Sequence, residues 1–238
     1  MKIPTATVEE SRKLDRSAIE DFGIPSLVLM EHASLGATKR ARALLDTRPV
    51  SEPPRAAVLV GPGNNGGDGL AVARHLALLG VHVQVERITN EFSTADARVQ
   101  HEAVQELARV GLFDAAKPPE PPHLIVDALF GTGLTRGLEG RAVDAVEWAT
   151  RSGLPILSLD APSGLDADRG EPLGPTIEAT ETVTFGTVKH GLLMPSGRRW
   201  VGNLFLAPIG LPKTLLPDEA PTFPPDALPV PHASWRES

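Results

Sequence analysis

Cysteine is absent from the 238 residues of this chain. Its absence excludes disulfide bonds, thiolate nucleophiles and cysteine-containing metal sites, and it fits a reducing compartment. No stretch of about 18 uninterrupted apolar residues occurs that would cross a membrane. The polar start, MKIPTATVEESRKLDRSAIEDFG, also lacks the apolar core of a signal peptide. We therefore expect a cytoplasmic protein without a membrane partner.

A basic stripe interleaved with aromatic residues is missing as well. Aspartate and glutamate number 30 against 23 lysines and arginines, which gives a formal charge of −7. Nucleic-acid binding would lack its electrostatic attraction to phosphate, so we expect no nucleic-acid partner. Apolar residues (41%) and charged residues (22%) are balanced as in a globular protein with a sizeable core.

Short β-rich runs alternate with helical segments, and this alternation predicts an α/β fold with a doubly wound, mostly parallel sheet. Two helices, at 8–21 with Thr7 as N-cap and at 26–45, open the chain. Further helices are predicted at 70–79, 94–110 and 142–150, and strands at 56–60, 81–85, 124–126, 156–159, 182–185 and 204–206.

We expect one globular domain at 1–216, followed by a tail at 217–238. The tail is dense in proline and has no apolar periodicity, which argues against packed structure and favours disorder. Ligands of parallel α/β sheets bind at the carboxyl ends of the strands, so the chemistry is expected in the loops that follow them.

The stretch GPGNNGGDG, which begins at Gly61, follows the first of these strands. Gly61, Gly63 and Gly66 match G-x-G-x-x-G, and Glu86 follows at the distance typical of an NAD-binding loop. Asp68, however, would place a negative charge beside the cofactor's pyrophosphate. Paired asparagines and extra glycines suit hydroxyls, an amide or a hard cation instead. A glycine-rich turn with Asp68 as helix N-cap is the purely structural interpretation.

Two further loops follow strands and carry oxygen ligands. DALFGTGLTRGLEG begins with Asp127, and LDAPSGLDADRG contains Asp160 and Ser163. Either aspartate alone could equally cap a helix or brace a turn. Asn65, Asp127 and Ser163 together could hold a cation, and their single carboxylate favours a monovalent ion.

One basic residue follows a later strand, in the stretch TVTFGTVKHGLLMPSG. Lys189 in this stretch either brings a positive charge beside a substrate phosphate or is a solvated loop residue. The seven histidines show no paired metal-ligand spacing.

The motifs GNNGGDG, DALFGTGL, LDAPSGLDADRG and TFGTVKHGL, in this order, resemble the NAD(P)H-hydrate epimerase family, also called the YjeF N-terminal domain family. LDRSAIEDFGIPSLVLMEHAS is similar to it as well, so the resemblance covers about residues 5–212. It implies a three-layer αβα Rossmann-like sandwich, often dimeric, that interconverts the R and S forms of NADHX and NADPHX, the hydrated nicotinamide nucleotides. One potassium ion (K+) per subunit is implied, as is a dehydratase on a separate chain.

The resemblance also implies site residues. Asp160 is the substrate-binding aspartate, and Asn65, Asp127 and Ser163 are the potassium ligands. His32 and Ser34 depart from the M-E-N-A-G pattern common in the family. The substrate-binding loops fall on Asn64, Asn65, Gly66, Gly67 and Asp68, and on Gly131, Thr132, Gly133, Leu134, Thr135, Arg136 and Gly137.

The substrate carries a hydroxyl on the carbon beside the ring nitrogen, which leaves as water once an acid protonates it. We expect Asp160 to be both acid and base, with a pKa raised toward neutrality by a dry pocket. Two other functions remain open: an NAD-dependent oxidoreductase, and a non-catalytic nucleotide-binding or scaffold module of the same fold.

Overall fold

An eight-stranded sheet forms the centre of the computed structural model, which describes residues 3–47, 53–216 and 228–230. The strands in chain order are β1 (Thr5–Ala6), β2 (Arg55–Val60), β3 (His82–Arg87), β4 (Arg109–Leu112), β5 (Leu124–Ala128), β6 (Ile156–Leu159), β7 (Glu181–Phe185), β8 (Val188–Lys189), β9 (Asn203–Ala207) and β10 (Leu228–Pro229). The large sheet has the order β10-β9-β7-β6-β5-β2-β3-β4 and is parallel except for the β9–β10 pair. β1 and β8 form a separate parallel pair.

Helices connect the parallel strands. They are α1 (Val8–Glu20), α2 (Ser26–Asp46), α3 (Asn64–Leu78), α4 (Ala95–Val104), α5 (Arg141–Arg151) and the short α6 (Arg198–Val201), with 3-10 turns at His190–Leu193 and Lys213–Leu215. Within the described residues, no helix combines the length and apolar character that crossing a membrane requires.

Successive residues of the central strands face opposite sides of the sheet, as the two-residue period of a strand dictates. Val58 and Val126 pack on the side covered by α2 and α3. Leu59 and Ile125 pack on the other side, against Val146 and its neighbours on α5. The predicted three-layer αβα sandwich is thereby confirmed.

The strand order reverses between β2 and β5. Along the chain, strands are added first on the β3 side of β2 and then on the β5 side. Such a reversal opens a crevice at the carboxyl ends of the two strands, where ligands of these folds bind. α3 begins after β2 and a long loop follows β5, so two of the predicted loops flank this crevice.

The two N-terminal helices are found where they were predicted. Thr7 is the N-cap of α1: its Oγ1 accepts a hydrogen bond from the Glu10 amide (3.2 Å), and the Glu10 carboxylate accepts one from the Thr7 amide (2.8 Å). The β1 strand just before this cap was not predicted. It pairs Thr5 with Val188, and the Val188 amide donates to Pro4 O at 2.8 Å. α1 is thereby attached to the segment that carries Lys189.

Two element boundaries differ from the prediction. α3 begins at Asn64, well before residue 70, and its N-cap is Gly63, so the prediction that Asp68 could cap the helix is wrong. The low helix propensity of glycine concealed this start. The helix predicted at 94–110 is also too long, because Val110 lies in β4 and pairs with Val85. Tertiary strand pairing overrides the local helical pattern there.

Part of the proline-rich segment is packed, which corrects the expectation of an unstructured tail. Pro229 in β10 pairs with Phe205 in β9, and the next residue, Val230, is buried. Residues 217–227 and 231–238 lie outside the described residues.

The glycine-rich stretch packs tightly against the end of β5. A Cβ atom at Gly61 would lie 1.7 Å from the carbonyl oxygen of Leu129. Gly61→Ala must therefore displace backbone, and we expect it to lower the free energy of unfolding by about 1–3 kcal/mol or more, the range for overpacked sites. Urea unfolding measures the difference.

Gly111→Ala in β4 is the matched control, because a Cβ atom there meets no atom within 4 Å. We expect it to change the free energy of unfolding by less than about 0.5 kcal/mol. Equal stability of the two variants would contradict the close approach at Gly61.

Candidate active site

A cavity of about 460 Å³ opens at the crevice between β2 and β5. α1 and α2 form one wall, the start of α3 forms another, and Asp160 and Lys189 line it near the ends of the strands. Its size falls within the range of small-molecule and cofactor sites. Among the residues predicted to bind substrate, it is lined by Asn64, Asn65, Asp68, Gly131, Thr132, Gly133 and Asp160.

Asp160, directly after β6, has a left-handed backbone conformation with φ of 63°. Such a conformation costs a residue with a side chain of the order of 1–3 kcal/mol. Several contacts hold it in place: the Asp160 amide donates to Val183 O at 2.7 Å, and the carboxylate accepts hydrogen bonds from Thr132 Oγ1 (3.1 Å) and Thr184 Oγ1 (3.2 Å). The turn thus aims this carboxylate at the cavity.

Lys189 forms an ion pair with this carboxylate. Its Nζ lies 2.5 Å from Asp160 Oδ1, and it also donates to Thr184 Oγ1 (3.2 Å) and Phe185 O (3.1 Å). Lys189 is buried, with 2% of its surface exposed, so the interpretation as a solvated loop residue is wrong. All three ammonium protons have protein acceptors.

The pKa of Asp160 is the reverse of the prediction. Burial alone would raise it, but the Lys189 charge and the hydrogen bonds from Lys189 and Thr132 together outweigh burial and lower the pKa. Asp160 is therefore a carboxylate at neutral pH. It can accept a proton, but it does not hold one to donate.

Two other carboxyl groups line the same cavity and behave differently. Burial raises the pKa of Asp15, on α1, to about 6, although Lys189 lowers it and Asp160 raises it further. Burial, reinforced by Asp160 and Asp15, raises the pKa of Asp68 well above its usual range. Carboxyl groups that crowd one low-dielectric site cannot all ionise, so the ionised state falls on Asp160, which has the lysine partner.

The predicted potassium ligands lie around the segment after β5. Asp127 is buried, and its carboxylate accepts hydrogen bonds from Ser158 Oγ (2.8 Å) and from the Ser163 amide and hydroxyl (2.9 and 2.5 Å). Ser163 Oγ accepts a hydrogen bond from the Phe130 amide at 2.9 Å. The Asn65 amide lies 3.1 Å from Leu159 O and from the Gly131 amide.

The orientation of the Asn65 amide tests whether these groups suit a cation. With its nitrogen toward Leu159 O and its oxygen toward the Gly131 amide, Asn65 makes two hydrogen bonds. In this orientation the amide oxygen retains a second lone pair that a cation could share. Ser163 Oγ also lies 3.1 Å from Phe130 O, so its proton can turn away from Asp127. The set therefore fits a weakly charged cation bound by oxygen atoms.

Several residues predicted to bind substrate are not among those that line the cavity. Gly66 and Gly67 serve the packing of α3: their Cβ atoms would lie 2.0 Å from Gly61 O and 2.7 Å from Met30 Cε. Their role in binding stays a prediction, as it does for Leu134, Thr135, Arg136 and Gly137.

Two unusual residues of the MEHAS stretch connect α2 to its neighbours. His32 Nδ1 lies 3.2 Å from Ile209 O. Ser34 Oγ donates to Met30 O (2.8 Å) and lies 3.3 Å from Asp68 O. Neither residue lines the cavity. The contacts of His32 and Ser34 therefore concern the packing of α2 rather than the surface of the cavity.

Sequence reasoning missed Asp15, Arg12 and the pairing role of Lys189. Arg12 lines the cavity and donates to Thr132 O at 3.2 Å. The sequence carries no signal that would place α1 there, because the two-residue strand before it is too short to predict. Glu86, the proposed ribose acid of an oxidoreductase, does not line the cavity.

Comparison with known proteins agrees with this architecture. Residues 26–191 match the family described as YjeF-related protein N-terminus. A Limosilactobacillus reuteri protein named NAD(P)H-hydrate epimerase is 37% identical over 207 residues, which cover 84% of this chain and 93% of that protein. A Thermofilum pendens protein named bifunctional NAD(P)H-hydrate repair enzyme Nnr is 39% identical over 224 residues, 90% of this chain but 41% of its own length.

A solved structure shares the fold. The crystal structure of yeast ynu0 superposes with a TM-score of 0.74 at 23% identity, and the match covers 87% of this chain and 88% of that one. The family match spans more than half of the chain and includes the glycine stretch, Asp127, Asp160 and Lys189. This chain belongs to the family of the YjeF-related protein N-terminus.

Proposed function

We propose that this chain is an NAD(P)H-hydrate epimerase, an isomerase that interconverts the R and S forms of NADHX and NADPHX for metabolite repair. The S form would then pass to a dehydratase. One observation carries the proposal: the cavity at the strand reversal holds an ionised aspartate, Asp160, that is fixed by a buried lysine. Family membership and a relative of similar length that bears this name support it.

The proposed reaction needs a group that accepts a proton from water. When the ring nitrogen has expelled the hydroxyl, the adjacent carbon is planar and water can add to either side. Asp160 is suited to accept the proton of the adding water, because Lys189 and Thr132 keep its carboxylate ionised. Its left-handed turn and five donors hold the carboxylate in one position, which favours addition to one face.

A potassium ion is part of the proposal. Asn65, Asp127 and Ser163 would hold it, and when bound it would supply charge that fixes the loops after β2, β5 and β6 around the substrate. The Ser163 hydroxyl proton could turn from Asp127 to Phe130 O, which lies 3.1 Å from Ser163 Oγ, and so leave Asp127 free to bind the ion. A homodimer and a cytoplasmic location, expected from the resemblance and the sequence, also belong to the proposal.

Asp160→Asn removes the base, and we expect the rate of epimer interconversion to fall by about 10² to 10⁴. The change also leaves the buried Lys189 ammonium without its counter-charge, which is strongly destabilising. The rate is followed by chiral chromatography of the R and S epimers, and stability by thermal unfolding.

The double variant Asp160→Asn, Lys189→Met separates the two effects. It also removes the Lys189 charge, which Asp160→Asn alone leaves without a partner. We therefore expect the double variant to regain stability but not activity. Near-wild-type interconversion in the folded double variant would overturn the role of Asp160.

Replacement of potassium by choline should lower both the interconversion rate and the melting temperature. A ligand that binds only the folded protein stabilises it by RT ln(1 + L/Kd), where L is the free ligand concentration, so the melting temperature should rise with potassium concentration. We expect Asn65→Ala to abolish this rise, whereas Asn90→Ala, at an exposed loop position, retains it. An identical potassium response in both variants would contradict the assignment of Asn65.

A further inference from the structure

A carboxyl group of α1, that of Asp15, lines the same cavity as Asp160 and Lys189. Ser11, Arg12, Asp15 and Ile19 lie along one face of this helix, and all four line the cavity. The helix is held there at its start, where β1 pairs with β8 in the register Ala6 to Lys189. The same short pairing thus positions Lys189, which binds Asp160, and the helix that carries Asp15.

Asp15 and Asp160 differ in their hydrogen bonds. The Asp160 carboxylate accepts five from the protein. Among the residues that the structure describes, no hydrogen-bond donor contributes to the environment of the Asp15 carboxyl, which is half-buried at the wall of the cavity. Asp15 is therefore available to a ligand in the cavity.

Charged groups reach the surroundings of Asp15 from four other segments of the chain. Lys189 of β8, Asp160 in the turn after β6 and Asp68 of α3 interact with it electrostatically. Asp96 of α4 lines the same cavity, and Arg12 is the neighbour of Asp15 on α1. Burial is the largest influence, and it raises the pKa of Asp15 to about 6. A carboxyl group with such a pKa still carries a proton in part of the molecules near neutral pH, as a general acid must.

We propose that Asp15 is the proton donor and Asp160 the proton acceptor when one epimer is converted to the other, and that the two exchange these roles in the reverse direction. The inference rests on the proposed epimerase function and deepens it. The hydroxyl leaves toward α1, and water adds from the side of the strand ends. Two carboxyl groups in one cavity, one ionised by a lysine and one half-buried without a hydrogen-bond donor from the protein, thereby have separate roles.

The reaction proceeds in two steps. First, the Asp15 O–H bond breaks as its proton binds the substrate hydroxyl. The carbon–oxygen bond then breaks, and its electron pair leaves with the departing water. The lone pair of the ring nitrogen forms a C=N bond to the same carbon. Water then adds to that carbon from the other side, the C=N pair returns to nitrogen, and one water proton passes to Asp160. Asp160 releases this proton to solvent and Asp15 takes one up, which restores both groups.

Asp68 also lines the cavity, but it is the weaker candidate for this role. Its pKa is raised well above the usual range, so it would release its proton less readily than Asp15. It also lies in the loop that the resemblance assigns to substrate binding.

The test is the pH dependence of kcat/KM for interconversion of the R and S epimers, measured with full-length wild type, Asp15→Asn, Asp15→Glu and Asp68→Asn. We expect the wild-type value to fall as pH rises through about 6, because the ionised Asp15 has no proton to donate. Asp15→Asn should lose about 10² to 10⁴ in kcat and lose this pH dependence, whereas Asp15→Glu retains it. Glu20→Gln, at an exposed position of the same helix, is the control and should match wild type.

Retention of the falling limb in Asp15→Asn, or a loss of less than threefold in kcat, would overturn the role of Asp15. Disappearance of the limb in Asp68→Asn alone would assign the proton to Asp68 instead. Carbon-13 NMR of aspartate carboxyl groups separates this inference from the proposed function: one aspartate should titrate near 6 and be missing in Asp15→Asn. Wild type without epimerase activity refutes the function, while the absence of such a titration refutes the donor assignment in an active enzyme.

Discussion

The ion pair between Asp160 and Lys189 determines the electrostatics of the whole cavity. An aspartate in a left-handed turn and a lysine that is almost fully buried are each unfavourable alone, and each offsets the cost of the other. Lys189 is paired directly with Asp160. Its charge lowers the pKa of Asp15 and Asp68 too little to outweigh their burial. The cavity therefore contains both ionised and protonated carboxyl groups at the same pH.

This ion pair depends in turn on a very short strand pairing. β1 and β8 contribute two residues each, and a parallel pair of this length would not be stable alone. Contacts directly after β1 support it: the capping box of Thr7 and Glu10 starts α1, and Asp168 accepts a hydrogen bond from the Val8 amide at 2.8 Å. The N-terminal helix is consequently part of the site as well as of the core.

The sequence predicted the central sheet and the positions of Asn65, Asp127 and Asp160, because the carboxyl ends of parallel strands meet at one edge. It could not predict the protonation states. Burial alone would raise the pKa of Asp160, and Lys189 helps to reverse the direction of that shift. Lys189 is distant in sequence and is brought beside Asp160 by the path of the chain through β7 and β8. Asp15 was missed for a related reason, since two residues of strand in β1 carry too weak a signal.

The glycine stretch illustrates how one pattern can serve two purposes. G-x-G-x-x-G is typical of a loop that cradles a pyrophosphate, yet Gly61 and Gly66 here allow the backbone to pack, with no room for a Cβ atom between them or against Leu129. The ligand-facing surface of the stretch is formed by Asn64, Asn65 and Asp68. The glycines thus allow α3 to start close to β5. The residues between the glycines determine what the start of this helix binds. A motif defined by its glycines alone identifies this packing, but it does not identify the ligand.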